Sequence, residues 1–425
     1  MKQIWMKSLQ RIQKNLETIN SIGKTDNGME RLAFTEAEQQ ARQWFKERCI
    51  EEGMEVRTDP VGNVIARREG KREQAGAIAI GSHLDTVYNG GRFDGTIGVL
   101  AGLEIVHRLN RKKVMTDRPI EIIAFAAEES ARFGMATIGS KAMAGLLDEG
   151  CTDRLLDKDG VSLGEAMNQL GYRGELLSKA ARRKEELFAF LELHIEQGPE
   201  LEQLGKQVGI ATGIAAPVRL KVQVNGMAAH SGTTSMVRRQ DALVAASKLV
   251  LAVEAAAKRE KAYRTVATVG MLEVRSGAMN IVPGDVQFYV DIRSLDRASR
   301  LRVMRSLEDT VRCVEEENGV HVTLETISKE EPVLLDACVQ QVLGNACETL
   351  GIQPNLMPSG AGHDAMNMAA LCAAGLVFTP SRKGVSHHPE EYTEIADITR
   401  GVDVLEAAVL QLDHSGKERF ADEAI

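Results

Sequence analysis

The sequence predicts an α/β protein whose main domain is interrupted by a second, smaller α+β domain. Over roughly the first 200 residues, apolar runs alternate with amphipathic segments, which is typical of helices packed on a mostly parallel, buried sheet. From about residue 215 the residues alternate with period two, and after about residue 330 the first pattern returns. The chain has 425 residues, more than one compact core usually holds. These three observations together indicate two domains.

The predicted elements of the first domain alternate between helix and strand. Residues 33–53 indicate an amphipathic helix that ends at a glycine, and the strands GNVIARREG and AGAIAIGS follow it. A glycine-rich turn leads to a second helix over residues 95–110, where apolar residues recur at helical spacing. The strands IEIIAFAA and FAFLELHIE come next. Because ligands bind at the carboxyl ends of parallel strands, the residues that end these strands are the first functional candidates.

The middle of the chain has the element order β-α-β-β-α-β of a ferredoxin-like unit. VRLKVQVNG is a half-exposed strand, and a helix over residues 238–260 follows it. The strands RTVATVGMLEV and DVQFYVDIRS, a helix over residues 297–318 and the strand HVTLETISK complete the unit. We therefore expect one domain from residues 1–213 and 330–425, and an inserted domain over residues 214–329.

Composition excludes several classes of protein. Hydrophobic residues make up 44% and charged residues 26%, which excludes a disordered or collagen-like chain. Lys and Arg total 52 against 60 Asp and Glu, for a net charge of -8, and no basic stripe appears. A nucleic-acid partner is therefore not expected, and a small molecule is.

Three features favour a cytoplasmic location. The six cysteines are scattered without a CxxC pair, which is typical of free thiols in a reducing compartment. The N-terminal segment has no apolar core of a secretory signal. The most apolar helical stretch, residues 242–257, contains Lys248 and Glu254, so it is too short and too charged to span a bilayer.

Polar residues follow the strand AGAIAIGS and precede the next helix. His83 and Asp85 stand in GSHLDT, and a nearby carboxylate can orient the ring of a metal-binding histidine. A structural histidine beside a solvated aspartate explains the same pattern. Asp94, in NGGRFDG, stands directly ahead of the helix, where an N-cap is the ordinary explanation. The glycines around it favour a close approach of the main chain to another group.

Other candidates lie at the ends of two more strands and in a late loop. Glu128 and Glu129 end IEIIAFAA, where adjacent carboxylates are often only solvated. His194 closes FAFLELHIE, and SRKGVSHHPEE supplies His387 and His388. Each feature alone has a structural explanation. Together, five histidine and carboxylate ligands without thiolates match a catalytic divalent-metal site, with zinc foremost. Two metal ions sharing one carboxylate would use all five and leave room for a bridging water.

Six motifs carry a family resemblance. GSHLDT, NGGRFDGTIGVLAG, AAEES, LELHIEQGP, AAHSGTT and GVSHHPEE occur in this order over almost the whole chain. They resemble the amidase, or hydantoinase/carbamoylase, branch of the dinuclear zinc aminoacylase-like exopeptidases. This branch includes N-carbamoyl-L-amino-acid hydrolases, allantoate amidohydrolases and β-ureidopropionases. The resemblance implies a zinc-exopeptidase-like catalytic domain and an inserted lid that also forms a homodimer.

The resemblance also implies roles for individual residues. The matching metal ligands are His83, Asp94, Glu129, His194 and His387. Asp94 bridges two divalent ions, which are zinc with manganese or cobalt as alternatives. Glu128 matches the general base, and Asp85 matches the residue that orients His83. His388 stands where the family usually has Asn, so it competes with His387 for the ligand role.

For the substrate, the resemblance implies groups on both domains. His230 matches a histidine that enters the partner subunit and stabilises the developing oxyanion. Asn280 and Arg293 match a pair that grips a substrate carboxylate, although a salt bridge between Arg293 and Asp291 is the alternative. The residues expected to line the pocket are Gln197, Gly360 and Ala361.

The expected reaction is metal-assisted hydrolysis of a linear ureido amide, in which an N-carbamoyl-L-amino acid gives the L-amino acid, carbon dioxide and ammonia. Allantoate amidohydrolase is the alternative, because pocket shape decides the substrate. A metallo-dipeptidase or aminoacylase is a weaker alternative, since HIEQGP and the NGGxFDG spacing favour the ureido branch. A non-catalytic protein of this fold is expected to lack Glu128 or a ligand. The sequence alone does not identify the metal or the preferred side chain.

Overall fold

The computed structural model describes residues 2–148, 150–275 and 277–414. The chain forms two compact units. The first unit consists of Met1–Thr212 and Leu335–Ile425, and the second is Gly213–Leu334. The first unit is thus assembled from two stretches that flank the second unit in the sequence.

The α-helices are α1 (Lys2–Ile19), α2 (Glu36–Glu51), α3 (Thr96–Lys112), α4 (Ile138–Met143), α5 (Cys151–Arg154), α6 (Leu163–Gln169), α7 (Glu200–Leu204), α8 (Ala242–Arg259), α9 (Arg297–Asn318), α10 (Ala337–Thr349), α11 (Asp364–Met368) and α12 (Ile395–Asp413). Short 3-10 helices cover Gly174–Ala180, Lys184–Glu186, Met236–Arg238, Lys261–Tyr263 and Arg382–Gly384. None of the helices in the described part of the chain has the length and apolar character needed to cross a bilayer.

The strands are β1 (Lys24–Thr25), β2 (Gly28–Met29), β3 (Glu55–Thr58), β4 (Val64–Arg68), β5 (Ala77–His83), β6 (Ile120–Phe125), β7 (Leu187–Ile195), β8 (Gly209–Ile214), β9 (Ala216–Asn225), β10 (Ala229–His230), β11 (Val266–Val274), β12 (Ile281–Val282), β13 (Asp285–Ser294), β14 (His321–Lys329), β15 (Val333–Leu334), β16 (Asn355–Ser359) and β17 (Ala373–Thr379).

The central sheet of the first unit has a parallel core. Strands β17, β7, β5 and β6 are neighbours in that order, and every pair among them is parallel. Antiparallel strands flank this core, β8 beside β17 and β4 beside β6. Strands β5 and β6 are buried along their whole length, which explains their continuous apolar sequences. The prediction of an α/β fold with a mostly parallel sheet is confirmed.

Helices cover the sheet and leave its carboxyl edge for the loops. Helices α1, α3 and α12 pack against one another, and their apolar side chains join those of β5 and β7 in one core. The predicted second helix corresponds to α3, and the helix predicted over residues 33–53 corresponds to α2, capped by the Thr35 side chain. Helix α1 and the short helices α4–α6 have no counterpart among the predicted elements.

The second unit contains the predicted β-α-β-β-α-β order. Its antiparallel sheet has the strand order β11-β13-β9-β14, and α8 and α9 pack on each other and on β13. Asp241 and Asp296 cap the two helices through their side chains. A small ribbon pairs β10 with β12 and places His230 opposite Ile281.

Candidate metal centre

His83 is the last residue of β5, and its imidazole is buried at the carboxyl edge of the sheet. Its Nδ1 lies 3.0 Å from the main-chain oxygen of Asp85. Its Nε2 points the other way and lies 3.7 Å from Asp94 Oδ1 and 3.6 Å from Glu128 Oε2. Gly95 has a φ of +62°, and a Cβ there would come within 2.3 Å of the His83 ring. The glycine therefore allows α3 to start directly against the imidazole.

Asp94 is the buried centre of the cluster. Its Oδ1 lies 3.0 Å from His194 Nε2, and its Oδ2 lies 3.2 Å from His387 Nε2. Asp94 does not cap α3, because the N-cap residue is Gly95 and no side chain caps that end. Among the described residues, buried Oδ1 makes no hydrogen bond of ordinary geometry, although His194 Nε2 lies 3.0 Å away. A buried carboxylate oxygen that faces imidazole nitrogens without a well-formed hydrogen bond is the observation expected where a cation binds.

Glu128 and Glu129 form a turn directly after β6. Their main-chain N–H groups donate to the Asp85 carboxylate, to Oδ1 at 3.2 Å and Oδ2 at 2.9 Å. Glu129 Oε1 then lies 3.3 Å from His387 Nε2. The main-chain oxygen of Asp85 accepts the hydrogen bond that orients His83, whereas Asp85 Oδ1 lies 3.7 Å from the ring. The Asp85 side chain therefore has a task that the sequence did not predict, which is to hold the two glutamates.

His194 and His387 complete the cluster. The penultimate residue of β7 is His194, whose Nδ1 lies 2.9 Å from the main-chain oxygen of Ile195. His387 is in the loop before α12 and has a φ of 54°, an uncommon conformation for a residue other than glycine. His388 lies outside the cluster, where its Nδ1 accepts a hydrogen bond from the main chain of Glu390.

These residues form two ligand groups that share Asp94. One group is His83, Asp94 and His194, and the other is Asp94, Glu129 and His387. Within each group the ligand atoms lie within 4.8 Å of one another. A third group, Glu192, His194 and His363, shares His194 with the first. In that group both oxygens of Glu192 accept hydrogen bonds, from Ser82 and from the main chain of Ala365.

The surroundings of the cluster residues lower the pKa of Asp94 and raise the pKa values of Glu128 and His387. Although burial opposes it, the histidines 194, 387 and 83 hold the pKa of Asp94 well below its usual range. Burial raises the pKa of Glu128 well above its usual value, and Glu129 adds to this effect against the charge of His83. Contacts with Asp94 and Glu129 raise the pKa of His387 to about 11. The carboxylates thus favour protonated histidines, and divalent cations would compete with these protons for the ring nitrogens.

The residues expected to line the pocket have different surroundings. Gln197 Nε2 donates to Asp94 Oδ2 at 2.8 Å and to Ser386 Oγ at 3.1 Å, so this residue is beside the ligands. Gly360 and Ala361 belong to the turn after β16, in which Ser359 Oγ bonds to both main-chain polar groups of Ala361. This turn leads to His363, whose ring centroid lies 4.4 Å from that of His194.

Three expected substrate residues belong to the second unit. His230 is exposed, and its Nδ1 accepts a hydrogen bond from the main chain of Gly232. The main-chain oxygen of Asn280 accepts from Ser231, which places Asn280 beside the His230 segment. Arg293 donates from Nε and Nη2 to the Asp291 carboxylate. The salt bridge that the sequence allowed as an alternative is thus present.

Two groups of residues near the cluster were missed at the sequence level. Glu391 and Ser386 contact Asp94 or its main chain, and Glu192 lies beneath His194. The sequence pattern could have indicated Glu192. It stands two residues before His194 in an apolar strand, so the two side chains face the same side of the sheet. A signal for Glu391 was weaker, since GVSHHPEE contains two adjacent glutamates.

The chain is similar to known proteins over most of its length. A sequence model of the peptidase family M20/M25/M40 matches residues 79–411. An N-carbamoyl-L-amino acid amidohydrolase of Geobacillus stearothermophilus is 40% identical over 95% of this chain and 98% of its own. An allantoate amidohydrolase of Escherichia coli K12 is 34% identical over 95% and 98%. The crystal structure of a hydantoinase/carbamoylase family amidase from Burkholderia multivorans matches with a TM-score of 0.89 and 34% identity, over 96% and 98% of the chains.

Proposed function

This chain belongs to the peptidase family M20/M25/M40 and is a hydrolase, and from that membership we propose that it hydrolyses the C–N bond of a linear ureido amide at a centre of two divalent metal ions. The observation that carries the proposal is the pair of ligand groups that share Asp94, with Glu128 beside them. The proposed ligands are His83 and His194 on one side of Asp94, and Glu129 and His387 on the other.

The donor set fits divalent ions. It consists of imidazole nitrogens and carboxylate oxygens without thiolates, which suits zinc and also manganese or cobalt. Asp94 Oδ1 is buried and makes no hydrogen bond of ordinary geometry among the described residues. When bound, such a pair of ions polarises the scissile carbonyl and increases the acidity of a water molecule.

Glu128 is the proposed general base. Its raised pKa comes from burial and from Glu129, and a base is most effective when its pKa approaches the working pH. Glu128 takes a proton from the attacking water and returns it to the leaving nitrogen. Attack at the carbamoyl carbon of an N-carbamoyl-L-amino acid then releases the amino acid and carbamic acid, which gives carbon dioxide and ammonia.

The second unit supplies the proposed substrate groups. His230 stabilises the developing oxyanion in the cleft of a partner subunit, and Asn280 with Arg293 binds the substrate carboxylate. This arrangement needs a homodimer, in which the second unit is both lid and interface. In the first unit, Gln197 and the turn of Gly360 and Ala361 face the substrate. A cytoplasmic location is proposed because all six cysteines are free thiols.

N-carbamoyl-L-amino acids are the preferred substrate class, since the relative that carries this name is 40% identical and the allantoate amidohydrolase is 34% identical over the same share of this chain. Allantoate is the second candidate. It contains the same ureido group and a carboxylate, so the same catalytic residues serve both.

The test is an assay of ammonia release. Purified protein is loaded with zinc, manganese or cobalt and offered several N-carbamoyl-L-amino acids, their D-enantiomers and allantoate. We expect turnover of at least one L-compound, with D-compounds as the control for specificity. The Glu128→Gln variant is the matched control for contaminating activity. No ammonia from any ureido compound with any of the three metals would refute the proposed reaction.

A further inference from the structure

Glu391 links two loops that carry proposed metal ligands. Its side chain is buried, with the residue only 1% exposed. Oε1 accepts hydrogen bonds from the main-chain N–H of Phe93 at 2.8 Å and of Asp94 at 3.1 Å. The main-chain N–H of Glu391 donates to the oxygen of His388 at 2.9 Å. One residue thus ties the peptide of Asp94 to the turn that follows His387.

The other carboxylate oxygen of Glu391, Oε2, is connected to the Asp94 side chain through the hydroxyl of Ser386. The Ser386 hydroxyl lies 3.3 Å from Glu391 Oε2 and 3.0 Å from Asp94 Oδ2, so either carboxylate can accept its proton. Gln197 Nε2 donates to both Ser386 Oγ and Asp94 Oδ2. The main chain and the side chain of Asp94 are therefore fixed from one direction by connected hydrogen bonds.

Gly91 shows that this packing is close. A Cβ at Gly91 would lie 2.1–2.4 Å from three atoms of the Glu391 carboxyl group. Gly91 does not have a positive φ, so its backbone accepts alanine and the carboxylate is the obstacle. A side chain at position 91 and the carboxylate of Glu391 therefore exclude each other.

We propose that Glu391 is a positioning residue that fixes Asp94 against the His387 loop and thereby sets the affinity of the metal position formed by Asp94, Glu129 and His387. Glu391 is not itself one of the proposed metal ligands. It acts through the main chain of Asp94, through Ser386 and through the turn after His387. The left-handed backbone of His387 needs support from its surroundings. This inference rests on the proposed metal centre.

The chain contains a matched control for this role. Asp413 is also buried, at 2% exposed, and its carboxylate accepts from the consecutive main-chain N–H groups of Asp117 and Arg118 at 2.9 and 2.7 Å. Like Glu391, it comes from the C-terminal part of the chain and binds a loop of the N-terminal part. None of the proposed ligands lies in that loop. Asp413→Ala therefore removes the same kind of contact away from the cluster.

The experiment measures zinc affinity by competition with a chromophoric chelator, together with the visible spectrum of the cobalt-loaded protein. We expect Glu391→Ala to weaken one of two zinc sites by about 10–100-fold, the usual effect of losing an outer partner of a metal ligand. Its cobalt spectrum should change, whereas Asp413→Ala should keep both wild-type affinities and the spectrum. Glu391→Gln should weaken zinc less, because its amide oxygen still accepts from both N–H groups.

A double-mutant cycle tests the same contact from the other side. Gly91→Ala should weaken zinc in the wild type, because the methyl group displaces the carboxylate, and should add little in the Glu391→Ala background. If Glu391→Ala does not fold, Glu391→Gln compared with Asp413→Asn decides by the same criterion. Two wild-type zinc sites with unchanged affinity in the Glu391 variants would overturn this inference alone. A wild type that binds no divalent metal would overturn the proposed centre as well.

Discussion

Asp94 and Glu128 are two buried carboxylates whose pKa values are shifted in opposite directions. Against the effect of burial, three histidines keep Asp94 charged. Burial and the adjacent Glu129 favour a proton on Glu128. A charged carboxylate suits a metal ligand, and one that readily accepts a proton suits a base. The surroundings of the two residues, and not their residue type, therefore separate the two proposed roles.

Replacing Glu128 tests this separation directly. Glu128→Gln is nearly isosteric, so we expect the fold and the metal content to remain while activity falls at least about a hundredfold. Glu129→Gln, next to it, should instead lose metal, because Glu129 is a proposed ligand. The measurements are ammonia release and metal content by elemental analysis. Substantial turnover by metal-loaded Glu128→Gln would mean that another group takes the proton.

Arg293 and Arg219 offer a matched pair, because both donate to Asp291. Only Arg293 is a proposed ligand of the substrate carboxylate. We expect Arg293→Ala to raise KM for N-carbamoyl amino acids by about tenfold or more, the scale of one lost charge-assisted hydrogen bond. Arg219→Ala should leave KM unchanged. Steady-state kinetics on a carboxylate substrate and its amide make the comparison, and equal activity of the wild type on both would contradict the role.

At the scale of elements, three adjacent strands explain why much of the site was predictable. His83, Glu129 and His194 stand at or just after the ends of β5, β6 and β7, which are neighbours in the sheet. Apolar runs mark the strands, and parallel strands end at one edge, so the sequence alone indicates that these residues meet.

The remaining contacts were not predictable from pattern, because they depend on the paths of loops. The Asp85 carboxylate holds the turn of Glu128, whereas its main-chain oxygen orients His83. The sequence indicates that Asp85 is important, but it does not show which of its oxygen atoms makes each hydrogen bond. Glu391 meets Asp94 across nearly 300 residues of chain, and no local period encodes such a contact. The sequence also did not show which groups approach the glycines. In the structure Gly91 packs against Glu391, and Gly95 packs against His83.

Arg31 joins three elements close to His83, a proposed metal ligand. Its buried guanidinium donates to the main-chain oxygens of Ile19 and Ile22 at the end of α1, to that of Leu84 after β5, and to Thr96 at the start of α3. Burial lowers the pKa of Arg31 to about 10, so the group stays charged near neutral pH. Its removal would leave several buried oxygens without donors.

We therefore expect Arg31→Leu to lower the free energy of unfolding by about 3–5 kcal/mol. Arg31→Lys should be intermediate, since it keeps the charge but loses the planar set of donors. Urea denaturation of the metal-free proteins measures both. A loss below about 1 kcal/mol in Arg31→Leu, the size of an ordinary surface change, would show that water satisfies the exposed oxygens.

At the scale of the whole molecule, the proposed active site needs residues from two chains, so it can be tested by mixing variants. If His230 acts in the partner's cleft, mixing Glu128→Gln with His230→Ala after subunit exchange should restore activity. Each mixed dimer then contains one site with both defects and one with neither, so about half of the sites in mixed dimers recover. Size-exclusion chromatography with light scattering first establishes the dimer. No recovery despite demonstrated exchange would place His230 in its own chain's cleft or outside the reaction.

The first unit is assembled from two separate stretches of chain, and this division has a consequence for biosynthesis. His83, Asp94 and His194 are all translated before the second unit, whereas His387 follows 193 residues after His194. At about 5–20 residues per second, the ribosome needs roughly 10–40 s to cover that interval. The residues of the two proposed metal positions are thus synthesised in a fixed order. A nascent chain stalled before residue 387 contains every residue of the first proposed position and lacks one residue of the second.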